Sequence, residues 1–344
     1  MLALTDQWSL TWSVVALLSA GALTVLSSVR LATLGDVLAD RTGWGEAVFG
    51  AVLFGLVTSL SGIVMTGVSA ADDQPQLAYG NAVGGIAAQT LAVVAADAFY
   101  RRANLEHAAA SLQNILFGCL LTGLLGVTLM ATFSPDVTLL GVHPGSVVLV
   151  LLYAGGLRLI HSSEVPMWRA VRTQETVPDV PQEEGRAEER HGRLLWAEFL
   201  GIALVVVVGG WVVTRSAEGV LSGTDLKPGL VGAGIMGVIN ALPETVTAIA
   251  AVRRGAVTLA VAAIIGGNCL DVLNLVVGDL AYTQGSLFHS AGRDELFLTS
   301  AALVMTAVVL GGLLVRQRRG WFRLGFDGTV LVVIYATTLV TLAF

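Results

Sequence analysis

Apolar residues run along this chain in long blocks, and short polar clusters separate them. A block that crosses a bilayer as a helix needs about 17–25 residues. Ten such blocks fall at 11–33, 45–71, 77–100, 112–133, 144–161, 194–214, 228–252, 256–281, 296–315 and 324–343. They predict an all-α polytopic membrane protein of about ten transmembrane helices. The fifth block is the shortest. No basic run precedes the first, so it reads as a retained helix rather than a cleaved signal. One stretch breaks the pattern. Residues 162–193, "SSEVPMWRAVRTQETVPDVPQEEGRAEERHGR", are polar, charged and interrupted by Pro166, Pro178 and Pro181. They predict a linker between two halves, 1–161 and 194–344.

Composition agrees with the pattern. The chain is 55% hydrophobic and 13% charged, against about 25% charged in a soluble domain. Basic residues supply an orientation. Sixteen of the nineteen lysines and arginines lie at odd-numbered connections or their helix ends; only Arg215, Lys227 and Arg293 lie opposite. Positive charge marks the cytoplasmic side, so both termini are expected outside and the linker inside. Lys227 is the sole lysine, and Ala, Gly and Val are abundant. That bias points to a GC-rich bacterial source and to its inner membrane. The lipid bilayer is then the first partner. No basic stripe on a soluble domain supports nucleic-acid binding, and no feature names a protein partner.

The two halves match at a fixed offset. "LAYGNAVGGIAAQTLAVVAADAFY" from Leu77 aligns without a gap on "LAVAAIIGGNCLDVLNLVVGDLAY" from Leu259, an offset of 182. Gly84-Gly85 falls on Gly266-Gly267, and Asp97 on Asp279. The same offset puts Gly55 on Gly237 and Leu60 on Leu242. Five spans per half is an odd number, so the second copy must cross in the opposite sense. Two inverted five-helix repeats are the plan of secondary transporters, whose substrate site lies near the midplane between them.

The polar residues inside the apolar blocks sit in these matched segments. Glu244 lies well inside the seventh block and Asp271 well inside the eighth. A charge at a helix centre costs about 2.5–3.5 kcal/mol on insertion scales, and such residues mark ion pathways. No lysine or arginine lies in the central part of any block to neutralise them. Pro243 removes a helix donor, which predicts a break that frees carbonyls near Ile239 and Asn240. Gly266 and Gly267, with Gly84 and Gly85 in the first copy, allow bending or close helix approach. Asn268 adds an amide oxygen one turn before Asp271. Carboxylates, amides and carbonyls suit hard cations. The five histidines fall at connections or span ends and read as surface residues. Cys119 and Cys269 read as small core residues. No nucleophile–base pair or catalytic metal spacing predicts an enzyme, and no cofactor is expected.

"NALPETVTAIAAVRRGAVTLAVAAIIGGNCLD" resembles the second repeat of the calcium/cation antiporter superfamily, the sodium/calcium exchangers and their relatives. Leu242-Pro243-Glu244 and Gly266-Gly267-Asn268 with Asp271 carry the resemblance. It implies antiport of Ca²⁺ against Na⁺ or H⁺, with Glu244 and Asp271 as metal ligands. The first repeat keeps Thr58-Ser59-Leu60 and departs elsewhere. Ser61-Gly62 replaces Pro-Glu, Ile86 replaces the asparagine, and Gln89 stands where Asp271 stands in the second copy. Asn240-Ala241 replaces Thr-Ser in the second repeat. Thr58, Ser59 and Gln89 can supply neutral oxygens; Thr58 and Ser59 also suit helix packing. The loss of first-repeat acids gives weight to a monovalent Na⁺/H⁺ exchanger, and a degenerate, non-transporting membrane protein is a further reading. Asp97, close to Arg101 and Arg102, is expected in an interfacial ion pair or a vestibule. Asp72 and Asp73 are expected to be solvated at the outer side. The first and sixth spans are expected to form the gating bundle.

Overall fold

A computed structural model describes residues 8–42, 59–100, 103–139, 141–162, 192–255, 257–317 and 325–344. Thr58, Arg101, Arg102 and the linker 163–191 lie outside the described residues.

The long elements are α1 (Leu10–Thr42), α2 (Leu60–Ala71), α3 (Pro75–Phe99), the short α4 (Leu105–Ala108), α5 (Leu112–Thr132), α6 (Pro144–Ser162) and α7 (Gly192–Gly223). After a single turn, α8 (Pro228–Leu230), a π-helical stretch at Val231–Met236 leads into α9 (Gly237–Arg254). Then come α10 (Val257–Asp271), α11 (Asn274–Ala281), α12 (Arg293–Val315) and α13 (Phe326–Ala343). Among the described residues, eight helical segments are long and apolar enough to cross a membrane, and Leu60–Ala71 and Pro144–Ile160 are shorter apolar helices. Together they fall on the ten blocks read from the sequence.

The centre of the bundle is α3, buried along nearly its whole length. Its small residues explain how. A Cβ on Gly84 would overlap the Ala233 backbone, and one on Gly237 would stand 2.7 Å from the Gly84 carbonyl carbon. Backbone thus lies against backbone where α3 crosses the π-helical stretch and α9. Close approach of this kind is how small residues join membrane helices. The glycines predicted to bend the chain act here as contact points. Gly84 and Gly85 lie inside an unbroken α3, and Gly266 and Gly267 inside α10. Pro243 does not break α9 either. A proline deletes one ladder bond, here to Ile239, and the remaining bonds carry the helix through. The irregularity of this segment lies upstream, in the π-helical stretch.

Helices α1 and α7 form a pair of their own. Leu31, Leu34 and Leu38 pack with Leu195, Phe199 and Val206 in an apolar cluster separate from the main core. Arg30 and Glu198 add an ion pair. A second small cluster joins this pair to the rest through Leu17, Met65, Leu77, Val213 and Met236.

The repeat offset holds down to single hydrogen bonds. Asp279 Oδ1 accepts from the Leu287 amide at 3.1 Å, and Asp97 Oδ1 from the Leu105 amide at 2.7 Å, 182 residues earlier. Asp279 Oδ2 accepts from the His143 amide at 2.8 Å, and the matching Gly325 amide faces Asp97. His289 meets the Ser134 carbonyl, and His107 meets the matching Arg316 carbonyl. Asp97 and Asp279 therefore fasten backbone corners. Three other expectations change. His143 is buried, because its ring is held by the Gly145 amide and Ser134 hydroxyl. Cys119 faces outward from α5, since its helical neighbours Gly118 and Leu120 take the inner face. Asp72 is ion-paired to Arg215 at 3.0 Å rather than simply solvated.

Candidate cation site

Four segments meet where the repeats join: the start of α2, the middle of α3, and the polar turns of α9 and α10. Each contributes through a small-residue contact or a cross-helix bond. Asn240 on α9 lies against α2 and α3 together. A Cβ on Gly62 would stand 2.5 Å from its Oδ1, and one on Gly85 would stand 2.8 Å from its Nδ2. The Ser61 hydroxyl donates to Asn240 Oδ1 at 3.3 Å. One turn beyond Gly85, Gln89 packs its amide on α10, 2.7 Å from where a Gly267 Cβ would be. The next residue, Thr90, accepts from Asn268 Nδ2 at 3.0 Å. One turn beyond Asn268, Asp271 accepts from Asn274 Nδ2 at 3.4 Å and borders the Ser59 hydroxyl.

Burial makes these polar groups consequential. Asp271 is 0% exposed and Glu244 4%. Glu244 follows Asn240 by one turn of α9, so the two share a helix face. Asp271 Oδ2, Asn268 Oδ1, Gln89 Oε1 and Ser59 Oγ have no hydrogen-bond partner among the described residues. An unsatisfied buried polar atom costs about 1–3 kcal/mol. Several in one place form a polar group that the described residues leave unsatisfied. No ion pair to Asp271 is formed among the described residues. The donor chemistry is that of a hard-cation site.

The structure thus brings Asn240, Ser59, Gln89, Asn268 and Asp271 into one connected group, with Glu244 beside it on α9. Thr58 lies outside the described residues. Sequence reasoning missed three participants. Asn274 was legible, because it stands one turn after Asp271. Thr90 and Ser61 were not, because their partners are 178 and 179 residues away. The sequence also concealed why Gly62 is a glycine: Asn240 occupies the space its side chain would need.

A family model described as "Sodium/calcium exchanger protein" matches residues 12–160 and 194–344. The chain belongs to the sodium/calcium exchanger family. Members of this family are transporters, so cation antiport is the general activity it brings. Solved structures, several of them exchangers by name, share this chain's fold. The H⁺/Ca²⁺ exchanger CAX superposes with a TM-score of 0.69 at 15% identity, covering 98% of this chain and 84% of that one. Native YfkE gives 0.63 at 13% identity, covering 97% of each. The sodium-calcium exchanger NCX_Mj gives 0.61 at 14% identity, covering 96% of this chain and 99% of that one. At such identities the likeness concerns the fold. A search of curated proteins by sequence returns no match. Against the exchanger pattern, the second repeat is complete in acids, whereas the first has Gly62 and Gln89 at the corresponding places.

Proposed function

We propose that this exchanger moves Ca²⁺ against Na⁺ or H⁺ through a site near the membrane midplane. Glu244 and Asp271 carry its charge, and Asn240, Asn268, Ser59, Thr58 and Gln89 supply neutral oxygens. The observation that supports this most directly is the group of buried oxygens without donors around Asp271. Two carboxylates neutralise one divalent ion, and amide and hydroxyl oxygens complete its shell. The two transported ions compete for one set of ligands, and that competition couples them.

The halves 1–161 and 194–344 act as the two repeats, with 162–193 as a cytoplasmic linker. Both termini face outward from a bacterial inner membrane, as the arginine distribution suggests. The α1–α7 pair, with its own apolar cluster, is the gating bundle that moves against α3, α9 and α10.

A second reading, Na⁺/H⁺ exchange, is favoured by one observation. Gly62 and Gln89 leave the first repeat without carboxylates where the second has Glu244 and Asp271. Fewer acids suit a lower charge. Flux in proteoliposomes separates the two. Ca²⁺ uptake driven by a Na⁺ or pH gradient and lost in Glu244→Gln supports the first reading. Gradient-driven Na⁺/H⁺ exchange without Ca²⁺ movement supports the second. Absence of both would leave a non-transporting member of the family.

A further inference from the structure

A second buried acidic group lies away from the candidate cation site, at the arginine-rich end of the bundle. Asp97 is in the last turn of α3, Glu106 in α4 and Asp327 in the first turn of α13. They are 3%, 3% and 2% exposed. Asp97 is engaged with backbone amides, as described above. Glu106 and Asp327 crowd each other against Gly312, where an added Cβ would overlap Asp327 Oδ2 and stand 3.2 Å from Glu106 Cγ. Two carboxylates bond only if one keeps a proton. Glu106 Oε2 and Asp327 Oδ2 are buried with no donor among the described residues.

An independent feature points the same way. The Asn104 amide is buried and its Nδ2 has no acceptor. It is aimed at the corner where Asp327 sits: a Cβ on Gly325 would stand 3.1 Å from Asn104 Nδ2 and overlap Asp327 Oδ1. The second repeat shows what this corner looks like without the acids. There Phe288 takes the place of Glu106, Gly145 that of Asp327 and Ser286 that of Asn104. Asp279 is nevertheless fastened in the same way. The corner does not need Glu106 and Asp327 in order to fold.

Among the described residues, the charged groups around the pair are few. Just past the end of α12, Arg316 lends a guanidinium to the His107 carbonyl at 3.4 Å. His107 on α4 is turned to the Arg316 carbonyl. Arg253 on α9 lies over the Phe99 ring, 4.6 Å from its centroid. The facing segments of α5 and α10 carry no ionisable side chain. The groups that act on Glu106 are acids. Burial, then the charges of Asp327 and Asp97, hold its carboxyl well above the usual carboxylate range. No three His, Cys, Asp or Glu side chains among the described residues are arranged to hold a metal ion, which favours a proton over a cation as the bridging species.

We propose that Glu106 and Asp327 share one proton, and that this proton clamps α4 and the start of α13 onto the end of α3, making the arginine-rich face responsive to pH. Loss of the proton leaves two adjacent negative charges in a dry corner, and they repel. A carboxyl whose folded pKa is raised stabilises the fold below its unfolded pKa, and this contribution is lost as pH rises through the folded value. The clamp is therefore closed in acid and loosened in alkali. Because α3 also carries Gln89, eight residues earlier, the clamp sits about 12 Å along the helix from the candidate cation site.

The test is thermal unfolding of the purified full-length protein between pH 6 and 9, which needs no transport and stands or falls apart from the exchange reading. The wild-type midpoint should drop by about 3 °C or more as pH rises. In Glu106→Gln, whose amide is a permanent donor to Asp327, more than half of that drop should vanish. Asp327→Asn should do the same from the other side and serves if Glu106→Gln does not fold. Equal pH dependence in wild type and variant would overturn the proposal. So would restoration of the alkaline midpoint by Ca²⁺ or Mg²⁺ in wild type but not in Glu106→Gln, because a metal ion would then be the bridging species.

Discussion

At an offset of 182, the Asp97 and Asp279 corners are fastened by corresponding bonds, while Gly62 and Gln89 in the first repeat correspond to Glu244 and Asp271 in the second. The two copies agree where backbone must be held and differ at the candidate cation site. A corner has one workable answer, because a buried amide without an acceptor is costly in either copy. A cation shell has many, since one acid from one side can be offset by amides from the other. The fold is thus held alike at the ends of both repeats, while the polar residues in the middle differ between them.

That comparison is open to direct attack. The largest effect is expected at the acids of the second repeat. Asp271→Asn and Glu244→Gln should each lower cation exchange in proteoliposomes by about 100-fold or more, equivalent to about 2.7 kcal/mol. The matched Gln89→Ala should cost about tenfold or less, because it removes only a neutral oxygen. Similar losses at Gln89 and Asp271 would mean that the repeats contribute equally.

Next come the corners. Asp279 accepts from the His143 and Leu287 amides and the Ser146 and Ser286 hydroxyls. Asp279→Asn turns a donor toward those donors and should cost about 2–3 kcal/mol in thermal or denaturant unfolding. The close fit of Gly62 to Asn240 predicts a somewhat smaller loss. Gly62→Ala adds a methyl 2.5 Å from Asn240 Oδ1 and should destabilise by about 1–3 kcal/mol. Combining it with Asn240→Ala should recover much of that loss, and a strictly additive double mutant would show that the two side chains do not compete for space. The smallest effect belongs to Asp97→Asn, expected within about 1 kcal/mol of wild type. Removing that charge relieves Glu106 and Asp327 and offsets the weaker bond to Leu105. A loss at Asp97 as large as that at Asp279 would remove the asymmetry between the corners.

Much of this architecture is a one-dimensional property. Ten apolar blocks are visible because lipid imposes length and hydropathy on each crossing segment separately. The repeat is visible because its copies keep the same spacing. Glu244, Asn268 and Asp271 stand out because a polar residue in such a block is costly. Other features depended on distances between residues remote in the chain. Pro243 reads locally as a break, yet α9 continues through it, and the irregular stretch is upstream. Gly62 reads as a lost acid, and only the packed structure shows Asn240 in its place. Asp97 reads as a partner for nearby arginines, and only the structure shows that it accepts the Leu105 amide. Glu106 and Asp327 are 221 residues apart and unremarkable singly. They become a proton-sharing pair only when α4 and α13 converge on the end of α3 and exclude water from both. The sequence by itself determined which residues are expensive to bury, whereas the tertiary structure decided which of them are buried together.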